Sequence, residues 1–456
     1  MSFCAPQTHH GFPPAVRPIL LLICMHASLL MAQTDEVIFR EFRFDFATPG
    51  ARANAMGRAF TGLSDEATAA YNNPAGISAL TKPELSIEFR ANTNSFNLFE
   101  DNDNFTITSS DRQAGSDEFD TDRIGFASYA FSWRKVNFSL FYVNNLDYRR
   151  DPIDETIAFR HNVEDYSATY LNDNHVRQIK LDTMGFSFSK DFGKLDIGFA
   201  VAMAELNVDF EYFNALSSLE IFVFDPRTSV ADATSRKPAY VFGALYKLHP
   251  KLKLGLSYKL QPRFSYIQSI TNTENSPTEF PDGVPRQITL KVPDSFQIGL
   301  GYQPNDFWTL LLDVDWVRYK QTMGDNLTLL SSYNAPFISR GEPFTFQQSD
   351  FDINDKPELR FGAEYLKPIR NQIMAFRFGG FLDPDHRPRF IGVYTDETEK
   401  PLYDLADFVF NTEEGEDNPG YTLGLGWVNN NKIQLDVAFV KSERFERLVT
   451  SFLYRF

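Results

Sequence analysis

The feature that most constrains this chain is an apolar alternation with a period of two, which recurs from about residue 82 to the last residue. Near the end, Leu448, Thr450, Phe452, Tyr454 and Phe456 form one series, while Arg447, Val449, Ser451, Leu453 and Arg455 form the other. Ile433, Leu435, Val437 and Phe439 repeat the pattern, as do Leu310, Leu312, Val314 and Trp316. Side chains on a strand point alternately to opposite faces, so each segment reads as a strand with one greasy face and one mixed face. Turn residues divide the chain into about fourteen such strands, beginning near residues 84, 123, 136, 176, 194, 239, 252, 286, 307, 358, 372, 421, 432 and 445.

The connections alternate in length. Residues 133–136, 192–194, 249–251, 303–306, 367–370 and 429–431 make tight turns, and between them lie long loops at 99–121, 147–175, 208–237, 269–285, 321–356 and 383–419. An even strand count with short turns at one end and long loops at the other is the pattern of a transmembrane antiparallel β-barrel. In lipid every backbone donor and acceptor must pair internally, and a sheet achieves this only by closing so that no edge remains. At roughly 9 to 11 residues per crossing, fourteen strands use roughly 126 to 154 residues, which leaves ample chain for loops and an interior plug.

This reading accounts for the composition. The chain has 456 residues, 45 of them Phe and 15% of them aromatic, yet its mean hydropathy is below zero. A barrel places aromatics at alternate positions facing lipid without any long apolar run. Several strands also carry ionic residues on the other face: Asp313 and Asp315, Arg360 and Glu364, Arg377, Asp436, Arg447 and Arg455. An Arg facing lipid at mid-depth costs about 2–4 kcal/mol, so these side chains are expected to line the lumen and pair across strands. The formal charge of −16 argues against a nucleic-acid partner, which requires basic side chains to neutralise phosphates.

The N-terminal part does not alternate. Arg17 and Pro18 precede a largely apolar stretch from Ile19 to Ala32, too short to span a bilayer and expected to be a signal-peptide core, with residues 1–32 removed on export. Cys4 and Cys24 both fall in this region, so no disulfide is expected in the exported chain. Residues 33–81 are rich in Gly and Ala and read as a compact hatch that plugs the lumen of a barrel formed by residues 82–456. Ser64 is expected to cap a short helix through Tyr71, and Asn73 with Pro74 a second helical turn.

Met56-Gly57-Arg58-Ala59-Phe60, the acidic pair Asp65-Glu66, and Asn73-Pro74-Ala75 resemble the hatch of the FadL/TodX-like long-chain fatty acid transport family of the outer membrane. The resemblance continues through Pro293-Asp294-Ser295-Phe296 and Asp313-Val314-Asp315-Trp316, and covers residues 49–456. It implies a fourteen-stranded barrel in the outer membrane of Gram-negative type, plugged by an N-terminal hatch containing the Asn-Pro-Ala motif. It also implies a hydrophobic ligand that is captured by external loops, held in a greasy lumen pocket and released sideways into the membrane at a kinked third strand. On the third strand, the poor strand formers Asn144 and Asn145 are the candidate kink, and Phe213, Leu216, Leu219 and Phe222 are the candidate capture surface in an unusually apolar loop. Segments 327–338 and 403–410 are also unusually apolar for external loops. Phe452, Tyr454 and Phe456 resemble the C-terminal signal by which such barrels are recognised, so the barrel-assembly machinery and outer-membrane lipids are the expected partners.

The motif spacing also resembles the PorV-like branch of the same fold, which serves protein secretion. That leaves a secretion adaptor as an alternative, and an outer-membrane lipid hydrolase as a more remote one. His161, His175, His249 and His386 are scattered without metal-ligand spacing, and neither a nucleophile elbow nor a phosphate loop appears. No catalytic residue, metal or cofactor is therefore assigned.

Overall fold

A computed structural model describes residues 44, 48–97, 105–110, 116–150, 154–161, 167–218, 227–272, 284–322, 351–386, 389–393 and 417–456. The signal-peptide expectation at 1–32 lies outside them, as do Leu219, Phe222 and the segments 327–338 and 403–410. In chain order the first strands are β1 (Glu84–Asn97), β2 (Phe105–Ser110), β3 (Ser116–Trp133), β4 (Val136–Arg150), β5 (Asp154–His161), β6 (Ser167–Asp191), β7 (Leu195–Ser218) and β8 (Arg227–His249). They are followed by β9 (Leu252–Leu260), β10 (Arg263–Asn272), β11 (Val284–Lys291), β12 (Ser295–Tyr302), β13 (Trp308–Val317) and β14 (Phe351–Asp352). The last are β15 (Glu358–Ile369), β16 (Gln372–Asp383), β17 (Arg389–Phe390), β18 (Asn418–Asn429), β19 (Ile433–Ser442) and β20 (Phe445–Arg455).

Antiparallel pairing runs from each wall strand to the next, and β1 pairs with both β3 and β20, which closes the sheet. β9 and β10 form one wall strand interrupted at Gln261-Pro262, because Pro cannot donate to a ladder, and β11 and β12 form another interrupted around Pro293. Counted this way the wall has fourteen strands, and each of the fourteen expected segments corresponds to one of them. β5 continues the β6 ladder and β2 pairs with β5, while β14 and β17 form a separate pair.

Strand length departs from the sequence reading. β6 and β7 run for 25 and 24 residues and stay paired to one another almost throughout. Much of the expected loop at 147–175 and at 208–237 is therefore strand. Above the bilayer, water no longer forces pairing, but an antiparallel ladder still satisfies its own backbone, so a hairpin can continue outward. Phe213 and Leu216, expected in a loop, are β7 residues opposite Asp173 and Tyr170 of β6.

The two faces separate as alternation demands. Leu310, Leu312 and Trp316 on β13 and Leu435 and Val437 on β19 are exposed on the outer face, whereas Asp313, Asp315 and Asp436 are buried inside. All the inward ionic residues named above are buried except Arg455, which is half-buried.

Residues 48–80 occupy the lumen. They form helix α1 (Ala51–Ala55), helix α2 (Ala69–Asn72) and a 3-10 helix (Pro74–Ala79). Asn73 caps the last, accepting from Ala75 N at 3.3 Å, with Pro74 at the first position as expected. Ser64 does not cap α2. It ends a turn in which its N and Oγ both donate to Phe60 O, at 2.9 and 2.8 Å, and its φ is 36°. Its hydroxyl is thus engaged backward along the chain, and α2 begins after Thr68 without a side-chain cap.

The fit between this segment and the wall depends on inward-facing glycines. A Cβ on Gly198 of β7 would lie 2.2 Å from Ala75 N, and one on Gly362 of β15 would lie 2.3 Å from Met56 O. Any larger residue at these wall positions would displace the luminal backbone.

Candidate functional site

The lumen is divided by chemistry. On one side, β13, β15, β16 and β19 contribute an ionic network. Arg360 bridges Asp315 and Glu358 at 2.8 and 2.6 Å, and Arg377 bridges Glu364 and Asp436, both at 2.7 Å. The luminal segment joins it through Arg52, paired with Glu364 at 2.8 Å and Asp65 at 2.7 Å, and through Arg58, paired with Glu358 at 3.1 Å. Buried charges need such pairing to offset their lost hydration.

Wall carboxylates also hold the luminal backbone directly. Asp313 accepts from Phe60 N and Thr61 N at 2.8 Å each, Glu84 accepts from Ala67 N at 3.1 Å, and Glu88 accepts from Gly50 N. The expected hatch residues take part in this docking. Asn73 Nδ2 donates to Thr61 O at 3.0 Å and to Ala244 O of β8 at 3.2 Å, and Gly57 N donates to Thr422 Oγ1 at 2.8 Å. Pro74 and Ala75 lie against Gly198.

On the other side the lumen is apolar. Leu146 and Tyr148 of β4, Ile179 and Leu181 of β6, Leu206 and Val208 of β7, Phe264 of β10 and Leu290 of β11 belong to one buried cluster that reaches down to Tyr71 and Ile77 of the luminal segment. No local motif marked these residues in the sequence. Their only signal is that inward positions of these strands are apolar where those of β13 to β19 are ionic, and using that signal requires knowing which positions point inward.

The apolar side adjoins a break in the wall. The β3–β4 ladder runs upward from Trp133↔Val136 and ends at Phe126↔Val143. At that level both strands bulge. Gly125 is skipped in the β1–β3 register, and Asn145 is skipped in the β4–β6 register. A bulge changes which residues face inward. On β4 the buried inward series Ser139, Phe141, Val143 passes to Leu146, Tyr148. Above the break β3 stays paired to β1 and β4 to β6, but the two are not paired with each other.

The lips of the break are polar. Asn144 Nδ2 donates to Asp182 Oδ1 at 2.7 Å, Asn145 Nδ2 to Thr183 Oγ1 at 3.0 Å, and Tyr142 OH to Asp182 Oδ1 at 2.6 Å. Arg123 of β3 reaches across to Asp147 of β4 at 3.4 Å. Asn144 and Asn145, expected at a kink, thus sit at the bulge itself. Gly125, on the other side, was not anticipated.

One cation stands on the border of the two sides. Lys259 of β9 is 1% exposed, and its Nζ lies 5.1 Å from the centroid of the Tyr71 ring and 3.4 Å from Gln297 Oε1. Among the described residues it forms no ion pair.

The C-terminal residues expected as a signal lie on β20 and at its end. Phe452 is opposite Ile87 of β1, Tyr454 is opposite Leu85, and Phe456 N donates to Pro83 O at 3.1 Å.

Comparison with known proteins agrees with this architecture. Residues 45–365 match the family model described as outer membrane protein transport protein (OMPP1/FadL/TodX). A search of curated protein sequences finds no match. Among solved structures, a Pseudomonas aeruginosa FadL homologue is 11% identical with a TM-score of 0.57, covering 91% of this chain and 99% of its own. The P. putida toluene transporter TodX is 14% identical (TM-score 0.55), and the Ralstonia pickettii toluene transporter TbuX is 12% identical (TM-score 0.53). Each of these two covers 90% of this chain and 99% of its own. At such identity the likeness speaks for the fold, and the family match speaks for kinship. The chain belongs to the OMPP1/FadL/TodX family of outer-membrane transport proteins.

Proposed function

We propose that this barrel takes up hydrophobic carboxylic acids of the long-chain fatty acid class, holds them in the apolar side of the lumen, and releases them sideways between β3 and β4. The family consists of transport channels, which sets aside the hydrolase alternative. The observation that carries the reading is the continuity of the apolar cluster with the wall break through Phe126, Val143, Leu146 and Tyr148. An apolar molecule leaving by that route passes into lipid without returning to water, which conserves roughly 25 cal/mol for each Å² of apolar surface kept dry. In this reading residues 48–80 are a hatch that blocks the axial route, Asn144 and Asn145 shape the lateral exit, and the outer end of β7 near Phe213 and Leu216 receives ligand together with Leu219 and Phe222.

Lys259 supports an acid as cargo in preference to the neutral aromatic carried by the toluene transporters. Among the described residues Lys259 makes no direct ion pair, and Asp315 reaches it only through Gln297. A buried ammonium held this way beside an apolar cluster is costly, and a ligand carboxylate would pair it directly.

Uptake of labelled oleate into liposomes containing the purified chain tests both parts. Deleting Asn145 restores continuous register on β4 and is expected to abolish uptake while the folded barrel still migrates faster than its boiled form on a denaturing gel. Lys259→Met is expected to weaken oleate binding about tenfold, or ~1.4 kcal/mol, and to leave methyl oleate unaffected. Full uptake by the deletion variant would refute lateral exit, and equal effects on acid and ester would refute the carboxylate assignment. A secretion adaptor would transport neither and would instead co-purify with protein partners.

A further inference from the structure

We propose that the tight-turn end of the barrel is a basic collar that binds the phosphate headgroups of anionic phospholipids in the periplasmic leaflet. Short turns of such barrels face the periplasm, and here most of them carry basic residues. Arg134 and Lys135 form the β3–β4 turn, Lys194 lies in the β6–β7 turn and Lys251 in the β8–β9 turn. Arg370 lies in the β15–β16 turn with Lys367 near the end of β15, and Lys432 ends the β18–β19 turn. All seven are exposed. The β12–β13 turn is the exception and carries the exposed Asp306, while the exposed Asp191 at the end of β6 is matched by Lys247 at 3.3 Å. The chain as a whole carries a net charge of −16, so this end opposes the sign of the molecule.

Turn geometry does not explain these residues. Arg134 and Lys135 have φ values of 50° and 66°, and Arg370 has 55°. Asn and Gly adopt that left-handed region readily, and the long basic side chains do so at a cost. The β18–β19 turn has the ordinary solution, with Asn430 and Asn431 at 49° and 53°. At the other two turns the backbone would accept Asn or Gly, yet the chain places cations there.

Their depth matches a headgroup layer. Trp133, Phe192 and Phe307 are 59%, 58% and 47% exposed at the end of the lipid-facing belt, where aromatic rings mark the membrane interface. The guanidinium of Arg134 lies 4.8 Å from the Trp133 ring centroid and Lys190 Nζ lies 5.2 Å from that of Phe192, so these cations sit at the level of the rings. The collar is thus continuous with surface already in lipid. It is distributed around the ring and not gathered in one patch, as contact with a leaflet requires.

The test uses the full exported chain in neutral detergent, supplemented with phosphatidylglycerol or, separately, phosphatidylcholine of the same acyl composition. The readout is the temperature midpoint of the mobility change between folded and boiled forms. Phosphatidylglycerol is expected to raise the midpoint above that in phosphatidylcholine, and 1 M salt to remove most of the difference, since the Debye length then falls to about 3 Å. The variant Arg134→Asn/Lys135→Gly/Lys367→Gln/Arg370→Asn relieves the turn strain and removes four charges. It should keep or raise its midpoint in phosphatidylcholine and lose more than half of the phosphatidylglycerol effect. Equal midpoints in the two lipids for the unmodified chain, or a full effect in the variant, would overturn the proposal. A soluble polyglutamate that gives the same rise as the lipid would also overturn it, by assigning the collar to an acidic protein.

Discussion

Glu66 shows how much a single buried residue of the luminal segment can control. Burial raises its carboxyl pKa from 4.5 to about 7, and Arg52 at 3.5 Å opposes the shift only in part. Between these two values the folded chain holds a proton that the unfolded chain releases, so stability falls as pH rises through that window. The total is about 3 kcal/mol at about 1.4 kcal/mol per unit. Glu66→Gln should therefore flatten the pH profile of the unfolding midpoint between pH 5 and 8, where the unmodified chain loses stability toward pH 8. Parallel profiles for the two proteins would count against this account. At this scale the ionic lumen positions were legible, because an Arg or Asp on a strand whose other face is greasy has only the lumen to occupy. Lys259, the glycine contacts and the engagement of Ser64 with Phe60 were not, since each is defined by residues far away in sequence.

Two elements depend on short-range polar contacts that can be cut individually. The 3-10 helix is seated by Asn73, which caps it and also donates to Thr61 O and Ala244 O. Asn73→Ala should cost about 1–2 kcal/mol of local stability and speed amide exchange at Gly76 and Leu80, whose N–H groups bond within this helix, while the barrel stays folded. The interrupted wall strands are joined by Asp294, which accepts from Gln261 N at 2.8 Å, Lys291 Nζ at 2.8 Å and Gln321 Nε2 at 3.0 Å. Asp294→Ala leaves those donors without their acceptor and should destabilise the barrel by about 1–3 kcal/mol, read as a lower unfolding midpoint. The irregularity on β4, a one-residue bulge at Asn145, falls where two adjacent Asn interrupt a short apolar run. Its counterpart at Gly125, and the point at which the β3–β4 ladder stops, could not be anticipated, because a ladder belongs to two strands. The outward extent of β6 and β7 was missed for a related reason: polar residues there suit a solvated loop and a solvated hairpin equally well.

For the whole molecule, closure is the controlling fact. β20 is bonded to β19 on one side and to β1 on the other. Truncation before Phe445 would leave two unpaired edges in lipid, each unpaired group costing several kcal/mol. Such a chain should show no heat-dependent mobility and should aggregate. A folded, heat-modifiable truncation product would mean that another strand can close the wall. Alternation, strand count and the asymmetry of turn and loop lengths determined this architecture from the sequence alone, because a strand that crosses lipid must show one apolar face and the pattern is local. The local motifs Met56–Phe60 and Asn73-Pro74-Ala75 pointed to the family for the same reason. The division of the lumen into an ionic and an apolar side, the level at which β3 and β4 cease to pair, and the burial of Lys259 between the two sides were decided only in the tertiary structure. Each depends on which strands become neighbours and in what register, and a one-residue bulge turns the following side chains to the opposite face.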